Sequence, residues 1–457
     1  MPNFDYGKNG ENGMERKMRA AFHTLGCKVN TYETDAMEQM MRDGGYEIVP
    51  FDKGADVYII NTCSVTNMAD HKSRQMLRRA RKMNPDAVVV AVGCYVQADP
   101  KKAVQDTGAD LVIGNNKKKD LVAILDDYLE GRKTDAVVDI GDEKAYEELE
   151  LGTVTDHTRA YIKVQDGCNQ FCSYCIIPYT RGRIRSRRAD DVEEEIRRLA
   201  EDGIKEVVLT GIHLSSYGKD WEEEDGLLHL IERIHEIQGI ERIRLGSLEP
   251  RIVTREFAEA LGKLDKICPH FHLSLQSGCD AVLKRMNRHY TTGEYLRRCE
   301  ILRSVFANPA ITTDVIVGFP GETEEEFEQT REFLEQVKFY EMHIFKYSPR
   351  KGTRAAGMEN QVLEAVKTKR SNRLLQMEKR LSDEYRKSFI GTEMTILLES
   401  ILHTEEGDYM LGHSKEYVKA AYPIPKGKTE EEYSNRMVKA KAVGMLTEGI
   451  VLLKHAE

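Results

Sequence analysis

The sequence predicts an α/β protein in three parts: an open parallel-sheet amino-terminal domain, a partial or full β/α barrel, and a small all-β barrel at the carboxyl end. Three observations predict it. Short apolar runs alternate with helical stretches from residue 19 to about 130 and again from 158 to about 350, as in strand–helix units on a buried parallel sheet. After Gly391 the helical periodicity stops and short strands follow one another. At 457 residues the chain is too long for one ordinary core.

Residues 1–18 are polar and charged, with no apolar core for a signal peptide, and read as a flexible tail in which Met14 or Met18 is an alternative start. In the first domain (19–130), AAFHTLG, DVYIINT, AVVVAVG and DLVIG read as strands. TYETDAMEQMMRDG, NMADHKSRQMLRRARKM and NKKKDLVAILDDYLEG read as the helices between them. Residues 131–157 are polar and weakly patterned, which predicts a linker. In 158–388 the strands are RAYIKVQ, EVVLTG, RIRLGS, HFHLSL, ITTDVIVG and MHIFKYS, and six such units suggest a barrel-like parallel sheet. Glu364 to Ser388 is a long basic amphipathic helix, a brace or connector. In 389–457, MTILLES, YMLGHS, YVKAAYP and VKAKAVGMLTEGIVLLK read as strands of a small barrel.

Apolar residues make up 40% and charged residues 31%, the balance of a soluble globular protein. No apolar run approaches the roughly 20 residues that span a bilayer, so a cytoplasmic protein without a membrane partner is expected. A net charge of −9 argues against a generic basic nucleic-acid binder. The basic residues are clustered, however: Lys72, Arg74, Arg78, Arg79, Arg81 and Lys82 in one stretch, Arg181, Arg183, Arg185, Arg187 and Arg188 in another. Each run alone reads as a solvated helix face. Together they stay compatible with a nucleic-acid partner.

Nine cysteines in a chain of this class are not a disulfide framework. Cys168, Cys172 and Cys175 form a CxxxCxxC in the loop after a strand, with an aromatic residue, Tyr174, before the third. Three thiolates at this spacing can hold three irons of a [4Fe–4S] cube and leave the fourth open to a substrate or cofactor. The alternatives are zinc or inert thiols, but zinc favours paired C-x-x-C motifs with a fourth ligand, and none lies nearby. Cys27, Cys63 and Cys94 each follow a strand of the first domain. Neighbouring parallel strands end along one edge, where ligands bind, so these three thiols should meet in space. One buried cysteine is ordinary; three at equivalent strand ends are not. Cys268, Cys279 and Cys299 follow no ligand spacing and read as structural. His270 and His272 read as packing or pocket residues.

The cysteine loop resembles that of the radical S-adenosylmethionine (SAM) superfamily. HTLGCKVNTYETD, INTCSVTNMADHKSRQ, VGCYVQ, KVQDGCNQFCSYCIIPYTRGRIRSR and DVIVGFPGETEEEF together resemble the methylthiotransferases, from about residue 20 to the C-terminus. The resemblance implies two [4Fe–4S] clusters, one on Cys168, Cys172 and Cys175 with SAM on its open iron, a second on Cys27, Cys63 and Cys94. It also implies a TRAM-like RNA-contacting module at 389–457. SAM is then expected across the carboxyl ends of the barrel strands. Thr210 and Gly211 would face its methionyl part, with Ser247 and Glu249 at the next strand. Ser274 and Gln276 are placed for ribose. Asp314, Gly318 and the turn Pro320-Gly321-Glu322-Thr323 would surround adenine. Arg74, Arg78, Arg181, Arg183 and Arg185 are expected on the phosphates of an RNA loop with its target base turned out.

The mechanism implied is radical: a reduced loop cluster cleaves SAM, a second SAM methylates sulfur on the other cluster, and a methylthio group is installed on an aromatic carbon that no acid–base route can reach. An electron donor of flavodoxin or ferredoxin type and a sulfur source are implied partners. HTLGCKVN, NTCSVTN and DGCNQFC place the chain nearest the branch acting on N6-threonylcarbamoyladenosine at position 37 of the tRNA anticodon stem-loop. The sibling branches act on isopentenyladenosine or on an aspartate of ribosomal protein S12. A reading of another class is a non-catalytic iron–sulfur RNA-binding protein.

Overall fold

In a computed structural model, residues 17–133, 136–152 and 158–454 are described, and they divide into two compact units. The first comprises residues up to 152, 165–187 and 348–353; the second comprises 158–164, 188–347 and 354 onward. Most of the expected tail (1–18) lies outside the described residues.

The first unit is built on β1 (Arg19–Thr24), α1 (Lys28–Asp43), β2 (Glu47–Ile48), β3 (Val57–Thr62), α2 (Asn67–Met83), β4 (Val88–Gly93), α3 (Cys94–Ala98), α4 (Pro100–Thr107), β5 (Leu111–Ile113) and α5 (Leu121–Leu129). Its sheet is parallel in the order β2-β1-β3-β4-β5. The two apolar central strands are buried along their whole length because helices cover both faces. Alternate residues divide between the faces: Val57 and Ile59 pack with Met37, Met41, Leu121 and Leu125, whereas Tyr58 and Ile60 pack with Leu77, Ala80 and Ala103. The short β2, α3 and α4 carry too few periodic residues to be legible in the sequence.

The expected linker is instead an irregular strap on the first unit. Ala136, Ile140, Leu149 and Leu151 are buried. The Leu149 carbonyl accepts from the Tyr32 hydroxyl, and the Glu147 carboxylate accepts from the amides of Asn116, Lys118 and Lys119. Polar composition misled here, since a strap without regular structure satisfies its backbone through side chains.

Next come β6 (Arg159–Asp166), α6 (Ile177–Thr180), β7 (Arg185–Ser186), α7 (Ala189–Glu201), β8 (Glu206–Gly211), α8 (Gly226–His235), β9 (Arg242–Leu245), α9 (Arg255–Gly262), β10 (His270–His272), α10 (Asp280–Arg285), α11 (Thr292–Val305), β11 (Ala310–Val317), α12 (Glu324–Val337) and β12 (Glu341–Lys346). One sheet runs β7-β6-β8-β9 and another β10-β11-β12, and the parallel bridge Leu248↔Leu273 continues one into the other. Among the described residues β12 does not close onto β6, so the barrel is partial. α11 and α12 start at capping boxes, Thr291 with Glu294 and Thr323 with Glu326.

α13 (Glu364–Lys387) lies along β12 and sends Arg370 to the buried Glu322 carboxylate at 2.7 Å, the contact of a brace. The closed five-stranded barrel that follows has the order β13-β14-β15-β17-β16, from β13 (Glu393–His403), β14 (Asp408–Ser414), β15 (Lys419–Ile424), β16 (Met437–Thr447) and β17 (Ile450–Lys454). Buried arginines fasten it to the strands of the partial barrel. Arg242 donates to the carbonyls of His413 and Thr395, both at 2.8 Å, and Arg244 to those of Lys415 and Ser414 at 2.8 and 3.2 Å. Glu206 is the carboxylate these arginines share, with Arg244 Nε at 2.9 Å, Arg159 Nε at 3.2 Å and Arg242 Nη1 at 3.5 Å, and Arg159 pairs with Glu399 as well.

Candidate active site

Both cysteine trios fall in the first unit. β1, β3 and β4 are adjacent and parallel, with Thr24 opposite Asn61 and Thr62 opposite Gly93. Cys27, Cys63 and Cys94 follow these strands, so the expected convergence at one sheet edge is what the register produces. Gly26 has φ +112°, and a Cβ there would lie 2.9 Å from Cys63 Cβ. Only glycine lets the turn before Cys27 come this close to Cys63. Cys27 is exposed, while Cys63 and Cys94 are buried. Desolvation pushes the metal-free thiol of the buried Cys63 up to about 12, with Arg181 pulling the other way.

The CxxxCxxC loop leaves β6 through Gly167, at φ +70°, where a Cβ would fall 1.7 Å from the Arg183 carbonyl oxygen. The amide of Cys168 donates to Gly182 O at 3.0 Å, closing the base of the loop, and the Cys175 amide donates to Cys172 O at 3.0 Å. The Gln170 amide donates to Cys168 Sγ at 3.5 Å, and the Asn115 carboxamide to Cys94 Sγ at 3.5 Å. Donors aimed at sulfur suit thiolate ligands of an iron–sulfur cluster, whose potential such bonds tune. On this observation the residues present fit a cluster at each trio.

Beneath the trios lies a buried polar network that sequence reasoning missed, made of Asn30, Glu33, Asn115, Lys118, Asp166 and Arg181. Glu33 had a legible signal: it sits on the apolar stripe of α1 with Val29, Ala36, Met37 and Met40, where a carboxylate needs a partner. Arg350 was missed too. It donates to Ser64 Oγ (2.7 Å), Asp70 (2.8 Å) and Asn67 (2.9 Å), bracing the segment after Cys63 from far along the chain.

Two expected phosphate contacts are overturned. Arg181 is fully buried and bonded to Glu33, Asp166 and Asn30. Arg185 is buried as well, donating to the Arg183 carbonyl. A guanidinium spent on internal acceptors is not available to a phosphate. Arg183 is exposed, its guanidinium 4.6 Å over the Phe171 ring. On α2, Arg78 is exposed with its Nε and Nη2 donating to Asp106 O, which leaves Nη1 for a phosphate, and Arg74 is half-buried; with His71, Arg79 and Lys82 they form a basic shallow depression.

In the second unit the expected SAM residues do sit at strand ends, but differ in availability. Thr210 is buried, Gly211 and Ser274 are partly exposed and Ser247 is exposed. The Ser274 carbonyl accepts from Arg288 and from the Tyr290 hydroxyl. Gln276 has φ 73°, and its backbone pairs with Asp314 O and Ile316 N. The Glu249 carboxylate is occupied by the Nε and backbone amide of Arg251. The space a Cβ would take at Gly318 is filled by Lys367, whose Cγ would be 2.4 Å away, so the close approach that glycine permits there is made by α13. His272, Asp314 and His343, on three adjacent strands, bring one ligand-type atom each within 4.8 Å of the others. His213, unmarked in the sequence reading, bonds Ser216 Oγ at 2.6 Å; burial and nearby cations lower it to about 3, so it is neutral.

Comparison with known proteins assigns the arrangement. Residues 162–334 match the radical SAM superfamily, and residues 19–114 match the uncharacterized protein family UPF0004. The threonylcarbamoyladenosine tRNA methylthiotransferase MtaB of Bacillus subtilis (strain 168) is 43% identical over 423 residues, 92% of this chain and 93% of the relative. The chain belongs to the radical SAM methylthiotransferase family. Its MtaB relative from Aquifex aeolicus (strain VF5) is 41% identical, covering 85% of this chain and 95% of the relative. A tRNA-2-methylthio-N(6)-dimethylallyladenosine synthase of Clostridium botulinum (strain Okra / Type B1) is 36% identical, over 85% and 87%. Among solved structures, the radical SAM methyltransferase TsrM from Kitasatospora setae shares the fold with a TM-score of 0.58 at 16% identity, over 75% of this chain and 77% of that one. The methylthiotransferase is thus a radical SAM enzyme, of a superfamily that works with SAM and a [4Fe–4S] cluster. No helix among the described residues is long and apolar enough to cross a membrane.

Proposed function

We propose that this protein installs a methylthio group on C2 of N6-threonylcarbamoyladenosine at position 37 of tRNA, in two SAM-dependent steps. The observation that carries the reaction is the presence, in one compact unit, of two cysteine trios that each receive hydrogen bonds to sulfur. The substrate rests on the MtaB relatives, three of which are 40–43% identical and a fourth 36%. The dimethylallyladenosine synthases, at 34–36%, support a second reading in which the base carries an isoprenoid group.

When bound, two [4Fe–4S] clusters and SAM supply radical C–H activation, sulfur and the methyl group, chemistry no side chain provides. Cys168, Cys172 and Cys175 hold one cluster with three of the four ligands it needs, and Cys27, Cys63 and Cys94 hold the other. Thr210, Gly211, Ser274, Gln276 and Asp314 line the strand ends that receive SAM, with Tyr174 beside the third loop cysteine. Arg74, Arg78 and Arg183 hold RNA phosphates, and the carboxyl-terminal barrel contacts the anticodon stem-loop. A flavodoxin- or ferredoxin-like donor and a sulfur source complete the reaction in the cytoplasm, where tRNA is modified.

The test is mass spectrometry of tRNA nucleosides from cells lacking the gene and from cells with it restored. Loss and return of 2-methylthio-N6-threonylcarbamoyladenosine is expected. Loss of the isopentenyl counterpart instead would move the substrate and leave the chemistry; no change in either would refute tRNA methylthiolation.

A further inference from the structure

The segments bearing all six thiols are tied to a single buried side chain. Arg181 follows the short α6 turn, six residues after Cys175. Its Nη1 donates to Glu33 Oε1 at 2.8 Å and to both oxygens of Asp166 at 3.1 and 3.2 Å. Asp166 lies two residues before Cys168. Arg181 Nη2 donates to Glu33 Oε2 at 2.9 Å and to Asn30 Oδ1 at 2.7 Å. Asn30 passes the connection on, its Nδ2 donating to Leu25 O and Thr62 O, two residues before Cys27 and one before Cys63. Glu33 also holds Lys118, Lys118 holds Asn115 Oδ1, and Asn115 donates to Cys94 Sγ. Each cysteine of the Cys27/Cys63/Cys94 trio is therefore reached from one guanidinium through a few hydrogen bonds. Its Nε is buried with no hydrogen-bond partner among the described residues, a donor left over in a wall otherwise satisfied.

We infer that Arg181 is a positioning residue shared by the two cysteine sites, and that its charge sets the reduction potential of the cluster held by Cys27, Cys63 and Cys94. The inference rests on the reading that those three thiols hold a cluster. Two anions (Glu33, Asp166) face three cations in this network (Arg181, Lys118 and Arg185, whose Nη2 lies 3.8 Å from Asp166), so removing the Arg181 or the Glu33 charge shifts the local charge by one unit in a water-free place, where screening is weak. A cluster gains one negative charge on reduction. Loss of the Arg181 cation therefore disfavours reduction, and loss of the Glu33 anion favours it.

The experiment uses the full chain with Cys168→Ala, Cys172→Ala and Cys175→Ala, so that only the second site takes iron and sulfide under anaerobic reconstitution. Iron content and an EPR-monitored redox titration are then read for this parent and for Arg181→Gln, Arg181→Lys and Glu33→Gln added to it. Expected are opposite shifts: reduction at least about tenfold less favourable in Arg181→Gln and about tenfold more favourable in Glu33→Gln, 59 mV each way for one electron. Arg181→Lys, which keeps the charge, stays near the parent potential. A purely structural role lowers iron occupancy without opposite-signed potentials. If Arg181→Gln fails to take iron, Glu33→Gln decides: a raised potential supports the inference and an unmoved one overturns it. Full iron with unmoved potentials in all variants refutes the role of Arg181 alone, whereas a parent that binds no iron refutes the second cluster itself.

Discussion

Replacing Glu206 by glutamine probes the clamp between the partial barrel and the carboxyl-terminal barrel. The carboxylate is fully buried among Arg159, Arg242 and Arg244. Burial by itself raises its pKa, but the arginines, Arg244 foremost, overcome that and bring it from 4.5 down to about 2. A depressed carboxylate contributes stability that is complete above its unfolded value and lost as pH falls through its folded one. Held at about 2, Glu206 contributes about 3 kcal/mol above pH 4.5, vanishing toward pH 2. The glutamine also strands buried guanidiniums, and breaking a buried pair in this way costs about 3–5 kcal/mol. Urea unfolding followed by circular dichroism at pH 7, 5 and 3 is the assay. Glu206→Gln is expected to lose at least about 3 kcal/mol at pH 7, with the deficit shrinking between pH 5 and 3. Limited proteolysis should cut the variant sooner near residues 389–395, because the Arg242 bonds to Thr395 O and His413 O lose their anchor. A deficit under about 1 kcal/mol, or one that does not change with pH, refutes the clamp.

Gly167→Ala should empty the CxxxCxxC loop while leaving the other trio loaded. Positive φ costs about 1–3 kcal/mol, and the new Cβ overlaps the Arg183 carbonyl at 1.7 Å, so reconstituted iron should fall from about eight to about four per chain, read by iron assay. Arg183→Glu, on an exposed side chain over Phe171, should weaken tRNA binding about tenfold and flatten its salt dependence by about one phosphate contact, read by filter binding across salt concentrations. An unchanged affinity removes Arg183 from the RNA surface.

What local sequence determined here is the part governed by short-range chemistry. Strand–helix alternation predicted the two α/β regions because buried parallel strands must be apolar throughout and the helices between them amphipathic. The CxxxCxxC spacing was legible because three ligands on one loop need no fold to bring them together. Cys27, Cys63 and Cys94 were legible one step further, since parallel strands end at a common edge whatever else the chain does. Charge partners were not. Arg181 and Arg185 stand in the same run as the exposed Arg183, and nothing in that run says which side chains turn inward; for Arg181 the answer depends on Glu33 and Asp166, 148 and 15 residues away. The strap at 136–152 was likewise hidden, because its stability lies in side chains of other segments and not in its own pattern. Gly318 shows the same limit: the sequence marks a place where something must approach closely, and only packing decided that the visitor is Lys367. Periodicity and spacing travel along the chain, whereas burial of a charge is settled by which distant group arrives to compensate it.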